Sequence, residues 1–82
     1  MYKNEIKVGH CYSNHNGQER KVIAEGSEYV LYAGQAEADC IRYRVMARGV
    51  RGQNRVGEEH NITRARFASW AKYEVECEAD NA

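Results

Sequence analysis

Seven arginines fall between residues 42 and 66: Arg42, Arg44, Arg48, Arg51, Arg55, Arg64 and Arg66. Only Glu58 and Glu59 oppose them, so this stretch carries a net +5 inside a chain whose formal charge is 0. All four lysines lie elsewhere. The planar fork of arginine makes two parallel hydrogen bonds to a carboxylate or a phosphate, where an ammonium acts as a point charge. The block therefore reads as a recognition surface for anionic groups, on an acidic protein face or along a nucleic-acid backbone. Tyr43 sits within it as a candidate aromatic anchor, and Tyr43 or Tyr32 could stack a base. The competing reading is a solvated strand face and loop whose arginines pair with the acidic end of the chain. The flanks carry the opposite sign, net −2 over residues 1–41 and net −3 over residues 67–82.

Other reactive side chains are scattered. His10, Cys11, His15, Cys40, His60 and Cys77 are zinc-ligand types, but no two of them form the short, fixed-spacing pair of a metal site. The three cysteines stand 29 and 37 positions apart with no C-x-x-C among them. That odd count argues for reduced, half-buried apolar residues and against a disulfide framework. Phosphate-binding glycine loops, the H-E-x-x-H helix and the G-x-S-x-G elbow are absent from the sequence. Adjacent His10 and Cys11 would point to opposite faces of a strand, which leaves Cys40 with His60 or His15 as a nucleophile–base pairing. Glu58 and Glu59 read as solvated loop carboxylates. A chain of 82 residues also has little volume in which to enclose a substrate. The expectation is a non-enzymatic protein with no catalytic residue, no metal and no cofactor.

A binding surface of this kind needs a rigid scaffold, and the length and composition bound what that can be. At 9.4 kDa, with 43% hydrophobic and 29% charged residues, the chain is a single folded domain, residues 1–82. Asn16-Gly17 marks a hairpin between strands at 10–13 and 19–24. Tyr29 to Ala33 reads as a third strand. Cys40 to Ala47 alternates cleanly, with Ile41, Tyr43, Val45 and Ala47 on one face and Cys40, Arg42, Arg44 and Met46 on the other. Glycines then make an Arg/Gly-rich stretch over about 48–61, a mobile loop or an irregular hairpin. Asn61 or Thr63 caps a helix over about 64–72. Tyr73 and Val75 close with a strand before an acidic tail at about 76–82. The fold class expected is mainly β: a small SH3-like antiparallel barrel of about five strands with one short helix near the C-terminus. An α+β sheet crossed by one helix is the competing arrangement. Trp70, Phe67, Tyr29, Tyr32, Tyr43, Val22, Ile23, Val30 and Ile41 are the candidate core.

Val8-Gly9-His10-Cys11-Tyr12, Asn16-Gly17, Arg20-Lys21-Val22-Ile23, Tyr29-Val30-Leu31-Tyr32, and Ile62-Thr63 with Phe67-Ala68-Ser69-Trp70-Ala71 form a spaced series. It resembles the small SH3-like proteins encoded by phages and mobile elements. The resemblance spans about residues 8–72, rests mostly on core and turn positions, and is interrupted by the Arg/Gly stretch at 48–61. It implies a phage-type protein that binds a host protein and inhibits it, as anti-CRISPR and other anti-defence proteins do. The partner so implied is a host protein or nucleoprotein complex that handles nucleic acid or serves in defence, with direct nucleic-acid or nucleotide binding as the alternative. No run of about 20 apolar residues is present to cross a bilayer, and the first residues lack the apolar core of a signal peptide. The expected location is thus the cytoplasm of a bacterial host cell, as a monomer or homodimer away from membranes.

Overall fold

The alternation at residues 40–47 becomes the longest strand of the molecule. A computed structural model describes residues 1–15, 17–48 and 55–77. The elements in chain order are a 3₁₀ turn at Lys3–Glu5, β1 (Cys11–Ser13), β2 (Gln18–Glu25), a 3₁₀ turn at Ser27–Tyr29, β3 (Cys40–Arg48), β4 (Glu59–Thr63), α1 (Arg64–Trp70) and β5 (Tyr73–Val75). All five strands pair antiparallel in one sheet of order β4-β3-β2-β1-β5.

The hairpin expected at Asn16-Gly17 joins β1 to β2, with Tyr12 opposite Arg20. Gly17 has φ 83°, a left-handed conformation that glycine adopts without strain. Asn16 lies outside the described residues. The helix forms with Thr63 as its cap, the threonine Oγ1 accepting from the Arg66 N–H at 3.2 Å. The closing strand forms as β5 and pairs with β1, Cys11 lying opposite Val75.

Four expectations need correction. The sheet does not close into a barrel: β4 and β5 are its two edges, and α1 crosses one face to join them. That is the helix-on-sheet alternative. The strand expected at residues 29–33 is not formed. Gly26, with φ 142°, turns the chain out of β2, and Tyr29 N–H bonds back to the Gly26 carbonyl at 3.1 Å. The place beside β2 goes to β3 instead, so Leu31 and Tyr32 are exposed. In the stretch expected as a mobile loop or an irregular hairpin over 48–61, residues 59–61 are no loop but open β4, whose His60 and Ile62 stand opposite Tyr43 and Ile41 in an antiparallel pair with β3. Residues 49–54 lie outside the described residues. Finally, Cys11 and Cys77 form a disulfide across a sequence separation of 66, with Cα atoms 5.3 Å apart. Only Cys40 is a free, buried thiol.

The core lies between the sheet and α1. Ile6, Tyr12, Val22, Ile41, Tyr43, Val45, Phe67, Ala68 and Ala71 are buried together, with Met1, Ile62 and Trp70 packed against them. Tyr12 is fully buried because its hydroxyl is satisfied: it donates to the Glu5 carbonyl at 2.7 Å and accepts from the Lys7 N–H at 2.9 Å. Burial raises its pKa, which keeps the phenol protonated. Those two bonds fasten the N-terminal segment over one end of the sheet. No helix among the described residues is long and apolar enough to cross a membrane.

Candidate functional site

Strand alternation sends Arg42 and Arg44 to the sheet face away from α1, opposite Asn61 and Glu59 of β4. Glu59 serves both arginines. Its Oε1 lies 3.3 Å from Arg42 Nε, and its Oε2 lies 3.0 Å from Arg44 Nε and 2.9 Å from the Arg44 Nη2. Arg42 also donates through Nη1 to Asn61 Oδ1 at 2.7 Å. The hydrogen bonds from Arg44 and Arg42 hold the Glu59 carboxyl below the ordinary carboxylate range. Two cations and one anion thus share a partly exposed ladder.

Arg64 is built differently. It opens α1 beside the end of β4, and its guanidinium reaches Asp39 at 2.9 Å, Glu25, and the Ile6 carbonyl. Burial works against its charge, but the bonds to Asp39 and Glu25 outweigh it and raise its pKa. Arg64 is therefore an internal tie between α1, β2, the chain before β3 and the N-terminal segment.

Arg55 and Arg66 are exposed, and neither guanidinium has an ion-pair partner among the described residues. Arg48 ends β3, and Arg51 lies outside the described residues. Tyr43 is buried, its ring meeting Phe67, His60 and Arg20. The structure thus brings Arg42, Arg44 and Glu59 together, sets Arg64 apart in its own acidic cluster, and leaves Arg55 and Arg66 at either end of β4.

Two features lay beyond the sequence reading. Arg20, outside the arginine block, sits 4.5 Å from the Tyr43 ring centre and 4.0 Å from that of Trp70, and donates to Gln18 Oε1 at 2.7 Å. Burial lowers its pKa, and the two ring faces stabilise the cation there. The available signal was its parity with Val22, which puts it on the core side. The second feature is a groove of about 640 Å³ between β4 and the chain at residues 31–37, lined by Leu31, Tyr32, Asn61, Ile62, Thr63 and Arg66 among others. Exposed Leu31 and Tyr32 form its outer wall. No sequence pattern marks it, because both walls are segments whose structure the local pattern misassigns.

Catalytic and metal constellations can be placed as well. Among the described residues, no three His, Cys, Asp or Glu side chains cluster as a metal site. Cys40 is fully buried beneath Gln35, whose Nε2 lies 3.2 Å from its sulfur, on the opposite sheet face from His60. His15 packs instead near Tyr73. Comparison with family models, with curated proteins and with solved structures gives no match.

Proposed function

We propose that the protein is a non-catalytic binding module that engages a host protein of nucleic-acid handling or defence and inhibits or modulates it. The sequence resemblance to small phage-encoded proteins supports that class of partner, and the bacterial cytoplasm is the proposed place of action. A reducing cytoplasm works against the Cys11–Cys77 bond, so alkylation of protein drawn directly from cells reads the compartment.

The observation that favours a protein partner over nucleic acid is the mixed-sign ladder Arg42–Glu59–Arg44. A phosphate backbone is gripped by uncompensated cations, each releasing counterions. Here Arg42, Arg44 and Arg64 already face carboxylates. A surface of interspersed sign instead matches a protein face, where complementary charge fixes register and rejects wrong partners. Direct nucleic-acid binding remains the second reading, favoured by the exposed Arg55 and Arg66, which have no ion-pair partner among the described residues.

Affinity capture from a bacterial lysate, with and without nuclease, tests both. The expected result is a defined protein retained after nuclease treatment and reduced about tenfold by the double reversal Arg55→Glu/Arg66→Glu, with circular dichroism unchanged. Retention of nuclease-sensitive material alone selects the second reading. Retention equal in wild type and reversal overturns the proposal.

A further inference from the structure

The outer edge of β4 has backbone groups with no partner among the described residues. Val45 N–H donates to the Glu58 carbonyl at 2.8 Å, and Arg64 N–H donates to the Asp39 carbonyl at 2.8 Å. With the β3–β4 register, those bonds put the inward-facing backbone on residues 58, 60, 62 and 64. Alternation then turns the N–H and C=O of Glu59 and Asn61, and the N–H of Thr63, away from β3. None of them has a partner among the described residues. The groove lies on this side: Asn61, Ile62 and Thr63 line it consecutively. Side chains of consecutive strand residues point to opposite faces, so what the groove exposes is the strand edge itself.

We propose that this edge accepts an extended acidic peptide segment of a partner protein as a sixth strand. The inference rests on the binding reading above and gives it a mode and a partner chemistry. Main-chain hydrogen bonds to Glu59, Asn61 and Thr63 supply the pairing, and an apolar side chain of the incoming strand enters between Leu31, Tyr32 and Ile62. At about 3.4 Å per residue, five residues of β4 match an incoming segment of about five. The groove, about 640 Å³, lies within the usual ~300–1,000 Å³ of a ligand site. The charge of the occupant follows from what brackets the edge. Arg66 lines the groove at the Thr63 end, and Arg55 stands in the turn that leads into β4. Both are exposed cations without an ion pair among the described residues. Glu37 is on the groove wall, but its Oε1 accepts from the Asp39 N–H at 3.0 Å, within its own loop. Acidic residues at the two ends of the segment meet Arg55 and Arg66.

The test is a fluorescence-anisotropy titration with labelled hexapeptides of alternating valine and threonine, ended by aspartate or by lysine. The aspartate-ended peptide is expected to bind saturably, and the lysine-ended one about tenfold more weakly. N-methylation of alternate peptide nitrogens should cost about tenfold or more while leaving the protein untouched. Asn61→Pro should cost as much, because proline at this position removes an outward N–H and no main-chain bond to β3; Asn61→Ala, which loses the Arg42 side-chain bond but keeps the N–H, should bind as wild type does. Equal binding of the N-methylated probe, or no binding of the acidic probe at millimolar concentration, overturns the proposal. So does a concentration-dependent dimer in sedimentation that Asn61→Pro dissociates, since the occupant is then a second copy. Oligothymidine binding lost in the same variant also overturns it. In the lysate experiment, a host protein retained equally by wild type and Asn61→Pro removes this edge and keeps the binding function. Acidic-peptide binding with no host protein retained does the reverse.

Discussion

The two edges of the one sheet are finished in opposite ways. β5 is three residues long, and Cys77, two residues beyond it, is bonded to Cys11 of the neighbouring strand. Its Glu74 holds His10 Nδ1 at 2.8 Å, and Glu76 follows. β4 is five residues long, has no covalent tie, and is bracketed by arginines beside an apolar groove. An unpaired edge is a template for any passing strand, and shortness and charge are the usual ways to blunt it. β5 shows both. β4 shows charge only on the ladder beneath it and keeps its outward backbone open. The difference teaches that one edge is fastened and the other is not, with α1 as the part they share.

The largest expected effect destroys the comparison by striking what the edges share. Phe67 meets Tyr12 edge to face at 5.6 Å, and Tyr43 and Trp70 at a tilt at 5.7 Å and 5.3 Å, reaching β1 and β3 together from the helix. Phe67→Ala should lose about 3–5 kcal/mol in denaturant unfolding, because a buried ring leaves a cavity that its neighbours cannot fill. Hydrogen exchange should then speed at both edges alike. Next in size is the fastening of β5 alone. Cys77→Ser should cost about 2–4 kcal/mol by freeing a long loop in the unfolded chain. Exchange should rise furthest at residues 73–75, with His60 and Ile62 losing only what the lower global stability takes from the whole sheet. Equal loss at both edges would mean that the disulfide stabilises the whole sheet and not one side of it.

Thr63→Ala sharpens the comparison from the other side. Thr63 ends β4 and caps α1 through its bond to the Arg66 N–H, so losing the hydroxyl should cost about 1 kcal/mol by thermal unfolding. Exchange should then quicken at residues 64–66 and at Ile62, with β5 unchanged.

Local pattern made some of this legible. The alternation of residues 40–47 encoded β3 and its two faces, and Asn16-Gly17 announced the β1–β2 hairpin. The helix cap was narrowed to Asn61 or Thr63, and the structure takes Thr63. Pairing between distant segments left no such trace. Cys11 and Cys77 meet only because β5 returns to β1, which spacing alone does not reveal. β4 carries Glu59 and Asn61, poor strand formers, and becomes a strand because β3 offers Tyr43 and Ile41 as partners. Tyr29 to Ala33 has stronger β propensity and forms no strand, since β2 is already paired on both sides. The arginine block was visible as composition. Which arginines are tied and which are exposed depended on a register that places Glu59 opposite Arg44, and on Glu25 and Asp39 converging on Arg64.

That register sets the smallest effect. Glu59→Gln leaves Arg42 and Arg44 facing each other without their shared carboxylate, which should loosen β4 and leave β5 as it was. The acid dependence carries the sign. Glu59 titrates below its ordinary value of 4.5 in the folded protein, because Arg44 and Arg42 bond to its charged form. Its contribution is therefore complete above that ordinary value and is lost as pH falls through the depressed folded value. Wild type should exceed Glu59→Gln in stability at neutral pH by a small, constant margin, and the two unfolding curves should converge in acid. A margin that persists to the lowest pH would mean that Glu59 acts through packing and not through charge. A margin accompanied by faster exchange at residues 73–75 would mean that the two edges are not independent.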